Sequence, residues 1–450
     1  MSTQAVRHLQ SAIQAKTISH SDRSLIDFNE YEKFIAFLKD AYPMIHKKAT
    51  LERVENYSLL FHFKGATDLD PIGLMGHYDV VPVREEGWQV PPFSADIVDG
   101  YMFGRGTLDM KGHVIALLEA MEDCLNDGLV LQRDVYIMLG HNEETGIGMP
   151  DSGAVAIKRL LESRQVHFNM VIDEGGAFID GKGLSIDGPI ALIGVCEKGY
   201  VDVELIATQT GGHASMPPET SALYEVFEAA MKMEKDKFKS ELNQATDDMF
   251  KALVPYMKQP KKFIFKHRSL FKSLILKALI KSPELAATVR TTSVMTMAEG
   301  SKAPNVLAQT GRVNINCRIV PGDTSDQVLT RIKNRINSKL RIVAHNATEP
   351  TIVSPSDNNQ FKLIKDTMSL IYPELKAIAP YLMVAATDSR IYHDMSDGVY
   401  RVQPFKNMLW DRGTLHADNE RIELESFIKG IRFFKEIIIN GSKVNTELVD

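Results

Sequence analysis

The sequence predicts an α/β fold, a mostly parallel sheet with helices on both faces, into which an α+β ferredoxin-like lid domain is inserted. Strand-like runs alternate with helix-like runs through about the first 200 residues, an order typical of mostly parallel sheets. Farther along the chain the order becomes β-α-β-β-α-β, which indicates a small α+β unit. At 450 residues the chain is long enough for two domains.

The elements of the first domain follow one another along the chain. They are a strand at PIGLMGH (71–77), a helix at GHVIALLEAMEDCLNDG (112–128), a strand at RDVYIMLGH (133–141), a helix at SGAVAIKRLLESR (152–164) and a strand at FNMVID (168–173). Each helix has apolar residues at helical spacing. Two further amphipathic helices, within 359–375 and 425–441, are expected to return to this domain.

The lid elements come between these two parts. Strands are predicted near 198–208, 290–300, 311–321 and 341–347, and a helix at 324–340. We therefore predict a first domain formed by residues 1–197 and 354–450, and a lid formed by residues 198–353. A helical insertion at about 235–290 interrupts the lid.

Composition narrows the function classes. The chain is 44% hydrophobic and 24% charged with a net charge of −6, so it lacks the basic excess of a nucleic-acid binder. The N-terminus has no signal-peptide core and no run is long enough to span a bilayer, so a cytoplasmic location is expected. Cys124, Cys196 and Cys317 lie far apart. A bound metal would therefore have His and carboxylate ligands.

Polar side chains follow three consecutive predicted strands. In GLMGHYDVVPV (73–83), His77 and Asp79 project to one face of the chain; a local capping pair is the alternative explanation. HNEETG (141–146) follows the second strand, and Asp173 with Glu174 the third. Because ligands bind at the carboxyl ends of parallel strands, the pattern indicates one site at this edge.

The residue types suit a pair of metal ions. The candidates in Gly-rich loops are His77, Asp79, Asp109 in GRGTLDMKG, Glu143 and Glu144 in NEETG, Asp173 in DEGG, and His416 in TLHADNE. Imidazole and carboxylate are both good zinc ligands, and one carboxylate can bridge two ions. Adjacent glutamates point in different directions, so one can bind metal while the other acts as a base.

Eight segments resemble one enzyme family. They are GHYDVVP, GRGTLDMKG, NEETG, DEGG, GGHASMP, NVLAQTGRVNINCR, TDSR and HADNE. Their order resembles the dinuclear zinc exopeptidases that include glutamate carboxypeptidase, acetylornithine deacetylase, succinyl-diaminopimelate desuccinylase and aminoacylase. The helical insertion and the segment ATDSRIYHD look closest to the carboxypeptidase S branch.

The resemblance implies a cofactor of two Zn²⁺, with Co²⁺ or Mn²⁺ as substitutes, and a role for each site residue. His77 would bind one ion, His416 the other, and Asp109 would bridge them. Glu144 and Asp173 would complete the two coordination spheres. Glu143 would be the general base and acid, and Asp79 would orient His77.

On the lid, the resemblance implies that His213 stabilises the oxyanion of the tetrahedral intermediate. In dimeric members this His comes from the neighbouring subunit, so a homodimer is expected; a monomer is the alternative. Arg318 and Asn305 would hold the free carboxylate of the substrate, with Arg390 as a further candidate. A lid-surface ion pair and a turn residue are the alternative explanations for Arg318 and Asn305.

The implied activity is hydrolysis of the amide bond in short peptides or N-acyl amino acids with a free C-terminal carboxylate, with water activated by Glu143. One alternative is a deacetylase or ureido-type amidohydrolase of the same fold. Another is a catalytically silent protein that binds amino-acid derivatives. The silent alternative would be favoured by loss of a ligand or of the base, and neither is lost here.

The insertion carries an unusual charge pattern. Residues 258–282 hold eight Lys or Arg and no acidic residue, with Leu270, Phe271, Leu274 and Ala278 at helical spacing. A basic amphipathic helix can dock on a membrane surface or cover an acyl-chain pocket. We expect instead the more common arrangement, a surface helix that packs this apolar stripe on its own domain, and membrane contact is the alternative.

Overall fold

A nine-stranded sheet forms the centre of the computed structural model, which describes residues 3–336, 339–406 and 413–443. The strands of the described chain are β1 (Thr50–Val54), β2 (Ser58–Phe63), β3 (Ile72–His77), β4 (Ile97–Val98), β5 (Tyr101–Phe103), β6 (Val135–Gly140), β7 (Met170–Asp173), β8 (Ala177–Asp180), β9 (Pro189–Glu197), β10 (Gly199–Thr208), β11 (Gly212–His213), β12 (Thr292–Glu299), β13 (Val306–Leu307), β14 (Thr310–Ile319), β15 (Arg341–Thr348), β16 (Ala377–Met383), β17 (Val399–Arg401) and β18 (Arg421–Glu423). The central sheet has the order β1-β2-β6-β3-β7-β17-β9-β16, with β8 beside β9.

The middle of this sheet is parallel. Strand β3 lies between β6 and β7 and is parallel to both, β17 is parallel to β7, and β16 is parallel to β9. Strands β1 and β2 form an antiparallel edge that the sequence did not predict. The predicted α/β class with a mostly parallel sheet is confirmed. Its consequence for function is that β3, β6 and β7 end at one edge.

Helices cover both faces of the sheet. Those of the described chain are α1 (Thr3–Gln14), α2 (Phe28–Ala41), α3 (Pro43–Lys48), α4 (Lys111–Asn126), α5 (Glu143–Gly146), α6 (Gly153–Ser163), α7 (Ala222–Lys235), α8 (Gln244–Leu253), α9 (Lys261–Lys266), α10 (Lys272–Leu279), α11 (Pro283–Val289), α12 (Ser325–Arg335), α13 (Asn359–Ile371) and α14 (Leu424–Gly441). Along β3, Leu74 packs into the core on the α4 and α14 side, and Met75 packs with α6 on the other side. None of the described helices combines the length and hydropathy needed to cross a bilayer.

The lid has its own sheet and core. Its four strands are antiparallel in the order β12-β14-β10-β15, and α7 and α12 pack on one face through residues such as Val226 and Val328. This strand order is that of a ferredoxin-like β-α-β-β-α-β unit. Strand β9 of the central sheet ends at Glu197, and β10 of the lid sheet begins at Gly199. The domain boundaries drawn at residues 197 and 353 stay predictions.

The helical insertion packs on the central sheet. Helices α8, α9, α10 and α11 bury Phe250, Phe265 and Ile275 against a cluster that contains Leu192 of β9 and Ala379 of β16. The insertion is therefore lid sequence that covers the β8, β9 and β16 end of the catalytic sheet. Burying this surface removes apolar area from water and so stabilises the contact.

Candidate metal centre

The loops after β3, β6 and β7 meet at one edge of the central sheet. His77 is the last residue of β3, and Glu143 and Glu144 begin the short helix after β6. Glu174 follows the last residue of β7. Strands that run parallel bring these side chains together, as the sequence predicted, because the carboxyl ends of parallel strands share an edge.

His77, Asp109 and Glu174 form the first group of metal-binding type. His77 Nε2 lies 3.1 Å from Asp109 Oδ1 and 3.6 Å from Glu174 Oε1. The side chain of His77 is buried. One ligand atom from each residue lies within 4.8 Å of the others, a spacing that suits one ion with nitrogen and oxygen ligands.

Asp109 joins this group to a second group. His416 Nε2 lies 3.0 Å from Asp109 Oδ2 and 3.2 Å from Glu144 Oε2. The two carboxylate oxygens of Asp109 therefore face different histidines, which is the geometry of a bridging ligand. Oε1 of Glu144 is buried and has no hydrogen-bond partner in the described part of the chain. Such an atom is costly unless a cation or a donor binds it.

Asp79 holds both the first histidine and the glutamate turn. Its Oδ1 lies 3.3 Å from His77 Nδ1. The same carboxylate accepts hydrogen bonds from the backbone N–H of Glu143 at 3.0 Å and of Glu144 at 3.2 Å. His77 Nδ1 also lies 3.1 Å from the backbone carbonyl oxygen of Asp79, and the orienting role of Asp79 stays a prediction. The contact to the glutamate turn was not predicted.

Glu143 belongs to neither donor group. Its Oε2 lies 3.9 Å from His77 Nε2, so it stands beside the first group at a longer distance than Asp109. The side chain is buried. A carboxylate in this position is close enough to exchange a proton with a molecule held between the two groups.

Burial and crowded charge shift the titration of these side chains. Burial raises the pKa of Glu143 well above its ordinary value, and burial with the nearby charge of Asp109 raises that of Glu174 to about 8. Hydrogen bonds to Asp109 and Glu144 raise the pKa of His416 to about 10. Without a cation, this density of buried negative charge holds protons. The same charge favours metal binding.

Glu174, not Asp173, faces the first group. Asp173 Oδ2 accepts a hydrogen bond from the backbone N–H of Ser389 at 3.0 Å, and Asp173 is in neither donor group. Gly175 and Gly176 have φ values of 116° and 74°, so the chain turns immediately after Glu174. The expectation that Asp173 is a ligand is revised on this geometry, because adjacent side chains at a strand end point to different sides.

Glu420, which the sequence analysis did not single out, connects the loops that carry Asp109 and His416. Its Oε1 accepts hydrogen bonds from the backbone N–H of Gly106, Leu108 and Asp109 at 3.1, 2.8 and 3.2 Å. Its Oε2 lies 2.5 Å from an Arg105 nitrogen. The only sequence signal was its place in HADNE, four residues after His416.

Asp388 is a second residue that sequence reasoning missed. It is buried, and its Oδ1 has no hydrogen-bond partner among the described residues. Burial, followed by the charge of Asp173, raises its pKa to about 8. It lies in the segment TDSR, which drew attention only for Arg390.

The predicted substrate-binding residues of the lid lie apart from the two donor groups. His213 is exposed on β11, with its Nδ1 2.7 Å from Ser215 Oγ. Asn305 is exposed. The guanidinium of Arg318 lies over the Tyr200 ring, 4.6 Å from its centroid. Within the described residues, none of these three lid side chains contacts a member of either group.

Arg390 comes from the catalytic domain. One of its nitrogens lies 3.6 Å from Glu197 Oε2, and another donates to the carbonyl of Glu349 at 2.9 Å. Burial lowers its pKa, and the charges of Arg401 and Arg318 lower it further. Arg390 and Arg318 are therefore near enough to influence one another across the junction with the lid.

Two curated relatives match nearly the whole length of this chain. Probable carboxypeptidase S-like 2 of Dictyostelium discoideum is 34% identical over 448 residues, which cover 97% of this chain and 85% of the relative. The human N-fatty-acyl-amino acid synthase/hydrolase PM20D1 is 33% identical over 445 residues, with coverages of 96% and 87%.

Two solved structures share the fold. The M20 family metallo-carboxypeptidase Sso-CP2 from Sulfolobus solfataricus has a TM-score of 0.71 at 17% identity, with coverages of 98% of this chain and 99% of that one. Human carnosine dipeptidase 1 has a TM-score of 0.67 at 15% identity, with coverages of 98% and 96%. The fold expected from the motifs, a catalytic sheet with an inserted lid, is thereby confirmed.

A family model described as Peptidase family M20/M25/M40 matches residues 73–440. The matched region contains all eight segments that suggested the resemblance. The predicted resemblance to metallopeptidases of the carboxypeptidase S type is confirmed. This chain belongs to Peptidase family M20/M25/M40 and is a hydrolytic enzyme.

Proposed function

We propose that the protein is a dinuclear zinc hydrolase that cleaves the amide bond of N-acyl amino acids or short peptides with a free C-terminal carboxylate. The observation that carries the proposal is the pair of donor groups joined by Asp109, with the buried carboxylate of Glu143 beside them. A structural ion pair network would not need a free base next to two ligand sets.

His77, Asp109 and Glu174 would hold one ion, and Asp109, Glu144 and His416 the other. The buried unpaired Oε1 of Glu144 and the mixed nitrogen and oxygen donors fit zinc, with Co²⁺ or Mn²⁺ as substitutes. When bound, the ions supply an acidified water and polarise the scissile carbonyl.

Glu143 moves the proton in this proposal. Its carboxylate takes a proton from the attacking water and later delivers it to the leaving nitrogen of the amino acid. Burial raises its pKa, so it holds a proton more readily than a surface glutamate between the two steps. Asp79 keeps Glu143 in place through the backbone hydrogen bond of the turn.

Two arginines support recognition of a free carboxylate. Arg318 on the lid and Arg390 on the catalytic domain lie near the domain junction, and the charge of Arg318 lowers the pKa of Arg390. A guanidinium can bind a carboxylate through two parallel hydrogen bonds. Asn305 would add a lid contact to the same substrate end. The names of the relatives, one a fatty-acyl amino acid hydrolase and one carboxypeptidase S-like, are consistent with such substrates.

His213 would stabilise the oxyanion, from the lid of a second copy in a homodimer. Its exposed position on β11 leaves the ring free to reach another surface. The lid also exposes apolar side chains on α7 and β12, among them Tyr224, Met231, Val294 and Met297. A patch of this kind on a contiguous helix and strand is suited to an interface between copies.

The experiment is metal analysis combined with a substrate panel. Purified protein is assayed for zinc by mass spectrometry and for hydrolysis of N-acetyl, N-oleoyl and dipeptide substrates, with and without chelator. We expect about two zinc ions per chain and release of a free amino acid that stops with chelator. Two ions without turnover would favour a silent binder. Turnover of the N-acetyl substrates alone would favour a deacetylase, and turnover only of N-carbamoyl amino acids, added to the panel, would favour a ureido-type enzyme.

A further inference from the structure

The insertion presents two apolar surfaces that differ in what covers them. Phe265, Ile275 and Leu279 are buried against the central sheet. Leu270 and Leu274, which the sequence placed in one stripe, are instead 79% and 53% exposed. The expectation that this stripe packs on its own domain is therefore wrong for these residues, because the neighbouring positions fill the buried side.

The exposed leucines and two lysines lie on α10 and on the turns that flank it. The backbone N–H of Phe271 donates to the carbonyl of His267, and that of Ile275 donates to the carbonyl of Phe271. Leu274 and Lys277 are three residues apart on α10, so their side chains lie along one side of that helix, with Leu270 in the turn before it and Lys281 just after it. This side is opposite to Ile275 and Leu279.

Phe263 and Lys266 extend this surface toward the start of the insertion. Phe263 is 53% exposed, and its ring centroid lies 4.8 Å from that of His267 and 5.9 Å from that of Phe271. We name the surface the basic face. It comprises Phe263, Lys266, Leu270, Leu274, Lys277 and Lys281.

The lysines of the basic face are not neutralised within the chain. Lys266, Lys277 and Lys281 are exposed and make no ion pair with any described residue. Elsewhere in the insertion, Lys258 pairs with Asp187 and Arg268 with Asp247. The basic face is thus a local positive, apolar surface on a chain whose net charge is −6.

We propose that the basic face docks the enzyme on the surface of a bilayer that contains anionic lipids. Leucine and phenylalanine side chains would enter the boundary between head groups and acyl chains, while the lysines contact the anionic head groups. The proposal does not depend on the hydrolytic function. It adds a place where the enzyme would meet amphiphilic molecules.

Charge favours a lipid surface over a second copy of this chain. A two-fold symmetric contact through the basic face would bring its lysines close to their own counterparts, and like charges at an interface oppose association. An anionic bilayer instead offers negative charge and an apolar layer together, which matches both parts of the face.

The test is co-sedimentation of the full-length, zinc-loaded protein with vesicles. One vesicle type is phosphatidylcholine alone, and the other is an equimolar mixture with phosphatidylserine. We expect binding to the mixed vesicles that weakens as salt rises. Lys277→Glu with Lys281→Glu should weaken the binding at least about tenfold, and Leu270→Ser with Leu274→Ser should weaken it as well.

Two matched controls test whether the effect belongs to this face. Leu25→Ser with Leu370→Ser removes two leucines that are each 64% exposed elsewhere, and Lys47→Glu with Lys48→Glu makes the same charge change on α3. Both should bind vesicles as the wild type does. Thermal unfolding and zinc content of all variants establish that they are folded.

The proposal is overturned if mixed vesicles bind no protein, if phosphatidylcholine alone binds equally well, or if both test variants bind like the controls. Light scattering in the absence of vesicles tests whether a second copy of this chain covers the basic face. A wild-type oligomer that Leu270→Ser with Leu274→Ser converts to a smaller species would mean that a second copy covers the face, and would also overturn the proposal.

Discussion

The edge of the central sheet and the lid differ in whether their candidate functional side chains are already in contact with one another. At the sheet edge, five side chains already form two groups of three that share Asp109, and the ligand atoms within each group lie within 4.8 Å of one another. On the lid, the predicted substrate-binding side chains contact neither donor group in the described structure. The two donor groups are thus assembled within the part of the chain around the central sheet, whereas the proposed substrate contacts would require the lid of the same or a second copy to approach.

This difference follows from how each region is held. Hydrogen bonds hold the loops of the sheet edge in place. The carboxylate of Asp79 accepts one from the backbone N–H of Glu143, and that of Glu420 accepts one from the backbone N–H of Asp109. The lid has a separate hydrophobic core and joins the central sheet near Glu197 and Gly199. Separate cores permit relative domain motion with little loss of buried apolar contact. Three experiments with substituted proteins would sharpen or break the comparison.

Glu143→Gln should produce the largest effect. The amide has the same shape but cannot take a proton, so turnover should fall by about 10³-fold or more, while zinc content stays that of the wild type. Amino-acid release and metal analysis on the same preparation measure both. Glu55→Gln, on the exposed surface, should leave both unchanged. Loss of zinc in Glu143→Gln would mean that Glu143 is a ligand and Glu144 the base.

His213→Ala should have the next largest effect. Removing an oxyanion donor lowers turnover by about 10² to 10³-fold, and zinc content should stay constant because His213 contacts no donor group in the described structure. His345→Ala, also exposed on the lid, is the control and should retain turnover. A wild-type rate in His213→Ala would remove the lid histidine from the proposed mechanism.

Glu174→Gln and Asp173→Asn should differ in metal binding. Glu174→Gln removes a charged ligand of the first group and should lower the affinity for one zinc ion by about tenfold or more. Asp173→Asn keeps an oxygen that can accept the Ser389 N–H, so both ions should remain. Zinc titration of the metal-free proteins with a competing chelator measures the affinities. The reverse pattern would restore Asp173 as the ligand.

The sequence was informative where function depends on local order. Strand periodicity placed His77, the glutamate pair and the DEGG segment at the ends of three strands, and the structure brings these ends to one edge. The sequence was less informative about which of two adjacent acidic residues faces the site. Either Asp173 or Glu174 satisfied the pattern. The structure distinguishes their roles, because Asp173 contacts Ser389, more than 200 residues away, whereas Glu174 faces His77.

The sequence alone determined the fold class, the family and most of the candidate site, because alternating apolar runs and short motifs depend on nearby residues. The tertiary structure decided which acidic residue faces His77, that Glu420 clamps the Asp109 loop, and that Leu270 and Leu274 point away from the domain. These outcomes depend on partners distant in the chain. A side chain's exposure or ligand contact is set by what packs beside it, and periodicity does not specify those neighbours.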